Sequence, residues 1–302
     1  MIEVRVPATS ANMGAGFDTL GIALSLYNIV RVWETSGELQ IITRNGGGYV
    51  ASGEDNLIYK AMRRIFDESG YMPRGLKIEQ QSQIPMTRGL GSSSACIISG
   101  MLAANVLAGR PFSYPEILDF AAGMEGHPDN VAPALYGGFC ISSMEKGKTT
   151  CQSVKVSQKL KFAVMIPDFF VATKKSRGAL PETVPFRDAV FNVSHAATLV
   201  AALMTENMDA LSVGVRDKLH QQYRKNYISG MDEIFEKSYT LGAKGTYLSG
   251  SGPTILSILR ERDAAKFLDE MNRFLGDFDE PWKCRILSID NVGAVLKASG
   301  RQ

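Results

Sequence analysis

Between Arg88 and Arg110 the chain carries no charged side chain, and that gap limits the possible folds more than any other stretch. A long uncharged run reads either as a membrane-crossing helix or as a helix enclosed in a globular core. The intervening residues, GLGSSSACIISGMLAANVLAG, open on glycines and serines and hold Asn105 further along. Only about fourteen mostly apolar residues remain, short of a bilayer span and well matched to a buried core helix. Gly109 ends the pattern, as suits a helix C-terminus. The rest of the chain must therefore supply the elements that enclose this helix.

Those elements alternate along the sequence. IEVRVP puts Ile2, Val4 and Val6 on one face at period two, and IVRVWET, LQIIT and LKIEQQSQIP read as further strands. NLIYKAMRRIFDES, with Leu57, Ala61 and Ile65 four residues apart, predicts a helix. SYPEILDFAAGME predicts another, with Ser113 as N-cap and Glu116 completing a capping box. Around SSMEKGKTTCQSVKVSQ polar residues interrupt the apolar periodicity. The second half restarts with the strand LKFAVMIP, a long amphipathic helix in FRDAVFNVSHAATLVAALMTEN and a shorter one in YISGMDEIFEKSYTLG. A strand-turn-strand in GTYLSGSGPTILSIL, a helix in DAAKFLDEMNRFLG and a last strand in CRILSID complete the reading. The class is mixed α and β, without repeats.

A chain of 302 residues is long for one core and suits two domains of about 150 residues each. The polar interruption places the boundary near residue 150, dividing the chain into 1–150 and 151–302. With 33 basic against 31 acidic residues and a net charge of +2, no Lys/Arg block offers a nucleic-acid footprint. The N-terminus, MIEVRVPATSANMGAG, lacks the apolar segment of a secretory signal, and the expected location is the cytoplasm. Cys96, Cys140, Cys151 and Cys284 show no CxxC pair or His–Cys spacing, so they read as reduced thiols rather than zinc ligands or disulfides.

The turn that opens the uncharged run has its own chemistry. Gly89 and Gly91 let the backbone approach a ligand, and the serine amides that follow occupy a first helical turn, where N–H groups lack intrahelical partners. Such a terminus attracts anions, phosphate above all, with Ser92 to Ser94 adding hydroxyls and Arg88 a positive charge. The segment matches neither GxxxxGK[ST] nor GxGxxG. A ligand-free glycine turn with a serine cap is the alternative that this stretch alone leaves open.

Three further stretches bear on that choice. PATSANMGAGFDTLG packs Asn12, Gly14, Gly16 and Asp18 together, MEGHPDNVAPALYGGF offers Glu125, His127, Asp129 and Asn130 within six residues, and LSGSGPTI is a second glycine-rich turn. Singly, the first and last read as ordinary turns. His195, among apolar neighbours, and His220 read as structural.

Taken in order, PATSANMGAGFD, PMTRGLGSSSA and LSGSGPT resemble the three motifs of the GHMP kinases, the small-molecule kinases of galactose, homoserine, mevalonate and phosphomevalonate, over nearly the whole chain. PATSAN followed by GxGFD, together with EGHPDNVAPALYGG, is most similar to the homoserine branch, whereas a GEHTDY-like segment of galactokinases and a PAKINL-like start are absent. The resemblance implies an α+β GHMP kinase fold: a ribosomal-protein-S5-like N-terminal domain, a ferredoxin-like C-terminal domain, and an active site in the cleft between. It implies transfer of phosphate from ATP to L-homoserine on the route to threonine. By the same resemblance Pro85, Met86, Thr87, Arg88, Gly89, Leu90, Gly91, Ser92, Ser93, Ser94 and Ala95 wrap the ATP phosphates, and Ser93 and Glu125 coordinate Mg2+. Asn12, Asp18, His127, Thr173, Arg177 and Arg224 hold the amino acid, and the catalytic set is Asn130, Arg177 and Glu125. Asp18 suits the α-ammonium, and paired arginines suit the α-carboxylate through forked hydrogen bonds. Phosphoryl transfer relies on alignment and charge neutralisation, so no general base is assigned, though Asp129 stays open. Homodimers are common in the family, and no sequence feature requires one here. Two alternatives remain: a GHMP kinase for threonine or another alcohol, and a non-catalytic metabolite-binding member.

Overall fold

Strand β1 (Ile2–Ala11) begins with the alternation Ile2, Val4, Val6 and pairs antiparallel with the long β2 (Leu20–Glu34). The computed structural model describes residues 1–44 and 53–298, without the side chains of Thr173 and Lys174. On the other side of β2 lies β4 (Leu76–Ser82), and β3 (Gln40–Arg44) pairs parallel to β4. Helix α1 (Leu57–Ser69) joins the two, capped by the Asn56 side chain and closed by Gly70 in the left-handed conformation. Helix α2 (Ser92–Leu107) packs on β1 and β2 and is flanked by α1, α3 (Tyr114–Glu125) and α4 (Pro128–Tyr136).

Every residue of α2 from Ile97 to Asn105 is buried, which is why the sequence carries no charge there. Asn105 is paid for locally: its amide donates to Phe112 O at 2.8 Å and its oxygen accepts from Phe112 N at 3.1 Å. The capping box at Ser113 and Glu116 is formed.

The polar stretch around residue 150 holds a β-hairpin, β5 (Phe139–Glu145) with β6 (Lys148–Val154). The hairpin joins the first sheet where β5 pairs with Leu20, Gly21 and Ile22 of β2, and β6 forms an outer strand paired with β5. Most of β6 is therefore solvated and polar, which hides the strand signal. The chain leaves the first sheet after Val154 and returns to it, because β11 (Val295–Ala298) pairs with β1 beyond the strand read as the last.

A second sheet, in the order β10-β7-β9-β8, contains β7 (Leu160–Pro167), β8 (Gly245–Leu248), β9 (Ile255–Arg260) and β10 (Trp282–Ser288), all antiparallel. Between β7 and β8 run α5 (Thr173–Gly178), α6 (Phe186–Met204), α7 (Met208–Gly214), α8 (Gln221–Arg224) and α9 (Met231–Thr240), and α10 (Ala264–Leu275) precedes β10. One face of this sheet, through Phe162, Val164, Tyr247 and Ile258, joins the core of the first sheet together with Leu199 and Leu203 of α6. The other face packs Met165, Ile255 and Leu259 against Ile234 of α9 and Phe267 and Met271 of α10. One continuous core thus bridges the sheets and fixes the cleft between them. Among the described residues no helix is long and apolar enough to cross a membrane.

Gly100 lets α2 come close to α1: a Cβ there would lie 2.4 Å from Ile58 O. Gly100→Ala should destabilise the fold by about 1–3 kcal/mol despite the helix-propensity gain, because backbone must move. Thermal unfolding checks this, and an unchanged or raised Tm would show that α1 shifts freely.

Candidate active site

The loop from Pro85 to Gly91 is shaped by contacts with two distant parts of the chain. Thr9 N donates to Leu90 O at 3.2 Å, Thr254 N to Arg88 O at 3.3 Å, and Ser249 Oγ to Gly89 O at 2.5 Å. Gly89 and Gly91 have φ of 76° and 67°. A Cβ on Gly91 would stand 1.9 Å from Thr9 Oγ1, and one on Gly89 2.4 Å from Ser249 O, so both positions need glycine. The strapped loop delivers Ser92 and Ser93 to the wall of a cavity of about 410 Å³.

Across that cavity Glu125, the last residue of α3, accepts a hydrogen bond from Ser93 Oγ at 2.6 Å. His127 precedes α4, and its Nδ1 lies 2.5 Å from Oδ1 of Asp129, which is almost completely buried. Burial is the largest influence on the His127 pKa and lowers it. The hydrogen bond that the ring donates to Asp129 and the charges of Asp129, Asp18 and Glu125 together outweigh it, leaving the pKa raised. Asn130 accepts from Thr9 Oγ1 at 2.8 Å, which locks its amide orientation.

The opposite wall is built by the first motif and the second sheet. Asn12 takes φ 67°, donates to Gly250 O at 2.9 Å and accepts from Asp18 N at 3.0 Å, so its side chain folds the turn that presents Asp18. Asp18 binds Arg177 NH2 through both oxygens, at 2.7 and 2.9 Å. Arg224 is 2% exposed, donates to Gly250 O at 2.8 Å and leaves its Nε without a partner among the described residues. Burial, and then the charge of Arg177, push its pKa down to about 10. Both guanidinium groups lie over the Phe17 ring, at 5.6 and 5.5 Å.

This arrangement can be set beside known proteins. Residues 56–138 match the family model of the GHMP kinases N terminal domain, and residues 189–277 that of the GHMP kinases C terminal. The chain is 45% identical over 298 residues to a homoserine kinase of Caldicellulosiruptor saccharolyticus, covering 98% of this chain and 96% of that protein. The chain belongs to the GHMP kinase family. A homoserine kinase of Petrotoga mobilis is 45% identical over 294 residues, covering 97% and 95% of the two chains. The crystal structure of a homoserine kinase from Cytophaga hutchinsonii superposes with a TM-score of 0.87 at 28% identity over 98% of this chain and 97% of that one. The α+β GHMP kinase fold is thus the fold of this chain.

Within this GHMP kinase the residues from Met86 to Ser93 line the cavity, whereas Pro85, Ser94 and Ala95 do not. Helical rotation turns Ser94 into the core, fully buried with its hydroxyl unpartnered, so it offers no hydroxyl to a phosphate. The Arg88 guanidinium is tied to the carbonyls of Pro167, Asp168 and Met86 rather than presented as a free cation. Asn12, Asp18, Glu125, His127, Asn130, Arg177 and Arg224 all meet at the cavity, while the Thr173 side chain lies outside the described residues. Thr9 and Phe17 are site-shaping residues that sequence reasoning missed, although both sit within the first motif. Asn56, Gln80 and Cys96 also line the cavity and carried no functional signal in the sequence. His195 stacks on Phe191 at 3.6 Å, away from the cavity.

Because the folded-state pKa of His127 is raised, its stabilisation is fully present below the ordinary value of 6.5 and is lost as pH rises through the folded value. Asp129→Asn removes the chief raising influence. Titration of the His127 ring protons by NMR should show a lower pKa in the variant, and an unchanged value would mean that Asp129 does not control this histidine.

Proposed function

We propose that the protein transfers the γ-phosphoryl group of ATP to the side-chain hydroxyl of L-homoserine, giving O-phospho-L-homoserine, in the cytoplasm. The observation that carries this reading is the charge layout of one cavity. An anion-seeking helix start and an oxygen-donor pair face a carboxylate and two arginines arranged for a zwitterion. The relatives named homoserine kinase, similar over nearly the whole chain, support the same substrate.

The glycine-shaped loop and the first-turn amides of α2 receive the phosphates. Ser93 Oγ and Glu125 Oε1 form a hard oxygen pair that fits Mg2+. Asp18, His127 and Asp129 form a second cluster of possible ligand atoms, in which Asp18 pairs with Arg177 and His127 with Asp129. When bound, Mg2+ supplies positive charge to the phosphate oxygens. Asp18 and Arg177 pair with each other, and a zwitterion that opens this pair finds an opposite charge for each of its ends. The buried Arg224, with its unpartnered Nε, completes the carboxylate clamp. Asn130, held by Thr9, and His127, held by Asp129, stand beside the acceptor hydroxyl and align it. The chain needs no dedicated base for this alignment to accelerate transfer.

Release of ADP from magnesium-ATP should be much faster with L-homoserine than with L-threonine, L-serine, mevalonate or galactose. Preference for another alcohol would discard the substrate, and turnover with none would discard the enzyme. Glu125→Gln should lower kcat by about a hundredfold with the circular dichroism spectrum unchanged, and wild-type rates at ordinary magnesium would remove Glu125 from the metal site. Arg177→Ala should raise the KM for L-homoserine about tenfold with little effect on the KM for ATP. The reverse pattern would place Arg177 against the nucleotide.

A further inference from the structure

His220 is completely buried, yet it touches no part of the cavity surface. It stands at the start of α8, and each of its ring nitrogens meets a part of the site. Arg224 NH1 lies 3.1 Å from Nδ1, and Nε2 lies 2.9 Å from Gly14 O in the first motif. A guanidinium only donates, so Nδ1 must accept and Nε2 must carry the single proton that Gly14 O receives. The neutral tautomer is the one that burial favours, since burial is the largest influence on His220 and lowers its pKa. The ring also packs against Phe17 at 5.3 Å, the same ring over which Arg224 and Arg177 lie.

The surroundings hold His220 from behind. Asp217 accepts from the backbone N–H groups of Leu219, His220 and Gln221, and from the Asn192 amide of α6 at 2.8 Å. That amide also donates to Ala15 O at 3.1 Å, and Asn192 Oδ1 accepts from Lys218 N at 2.8 Å. A buried polar network therefore runs from α6 through the start of α8 to the Gly14–Ala15 backbone and to Arg224. Removing the Nδ1 acceptor leaves a buried guanidinium N–H unpaired, and the side chain must reorient to satisfy it.

On the reading of Arg224 as a carboxylate clamp, we propose that His220 is a positioning residue for substrate recognition: it fixes Arg224 in one geometry, so that the clamp is preformed for the amino acid. It acts on the amino-acid side of the cleft and leaves nucleotide binding untouched.

The test is a double-mutant cycle read as KM for L-homoserine and KM for ATP. His220→Leu keeps a buried side chain of similar bulk and loses both hydrogen bonds; His220→Asn places an amide oxygen near the Nδ1 position and restores the acceptor for Arg224. His220→Leu should raise the KM for L-homoserine about tenfold with the KM for ATP unchanged, and His220→Asn should recover most of that loss. Adding His220→Leu to Arg224→Ala should raise the KM no further, because the partner through which His220 acts is already gone. If Arg224→Ala raises the KM and His220→Leu does not, or if His220→Leu raises both KM values together, His220 has no positioning role. Additive effects in the double variant would also overturn it. If Arg224→Ala itself leaves the KM for L-homoserine unchanged, the clamp reading fails first. Should His220→Leu fail to fold, the cycle is run with His220→Gln, which keeps a donor for Gly14 O and removes only the acceptor for Arg224. The same KM split is then expected, and its absence would equally overturn the proposal.

Discussion

Three backbone segments from distant parts of the chain hydrogen-bond to one another at the start of α2, and the cavity exists because they do. The first motif meets the glycine loop through Thr9 and Leu90, the turn between β8 and β9 meets that loop through Ser249 and Gly89, and Gly250 N closes the triangle on Ala11 O. The segments approach so closely that a Cβ on Gly89 would overlap the Ser249 carbonyl and one on Gly91 the Thr9 side chain. Glycine is therefore required where the loops cross, and Ser92 and Ser93 at the start of α2 are left lining the cavity.

The electrostatics follow from that crossing. Gly250 O, held by the triangle, accepts from both Asn12 and Arg224, so one carbonyl aligns the turn bearing Asp18 and one arm of the clamp. On the far side Gly21 of β2 allows the first turn of α4 to come close, since a Cβ there would lie 1.8 Å from Asp129 O. That approach buries Asp129, and the buried carboxylate orients His127. The charges of Asp129 and Arg224, weak in water, become directional here because both residues are buried.

Much of the fold was legible because its signals are local. The charge-free run became the buried α2, the capping box at Ser113 formed, and the alternation in β1 matched its buried face. The β5–β6 hairpin was not legible, since its strands are largely solvated and polar, nor was the return of β11, which depends on a partner at the other end of the chain. In the site, the glycine loop and the acidic, histidine and arginine residues stood out by type. The inward turn of Ser94 and the commitment of Arg88 to backbone carbonyls did not.

By itself the sequence determined residue chemistry and local periodicity: which segments alternate, which helix must be enclosed, where glycine permits a left-handed backbone, and which charges are available. Only the tertiary structure decided which of those charges face one another. Asp18 and Arg177 are 159 positions apart and His220 and Gly14 are 206 apart, yet each pair is in hydrogen-bond contact. Such pairings are set by how two sheets share one core, and no local pattern encodes the distance between residues that far apart along the chain.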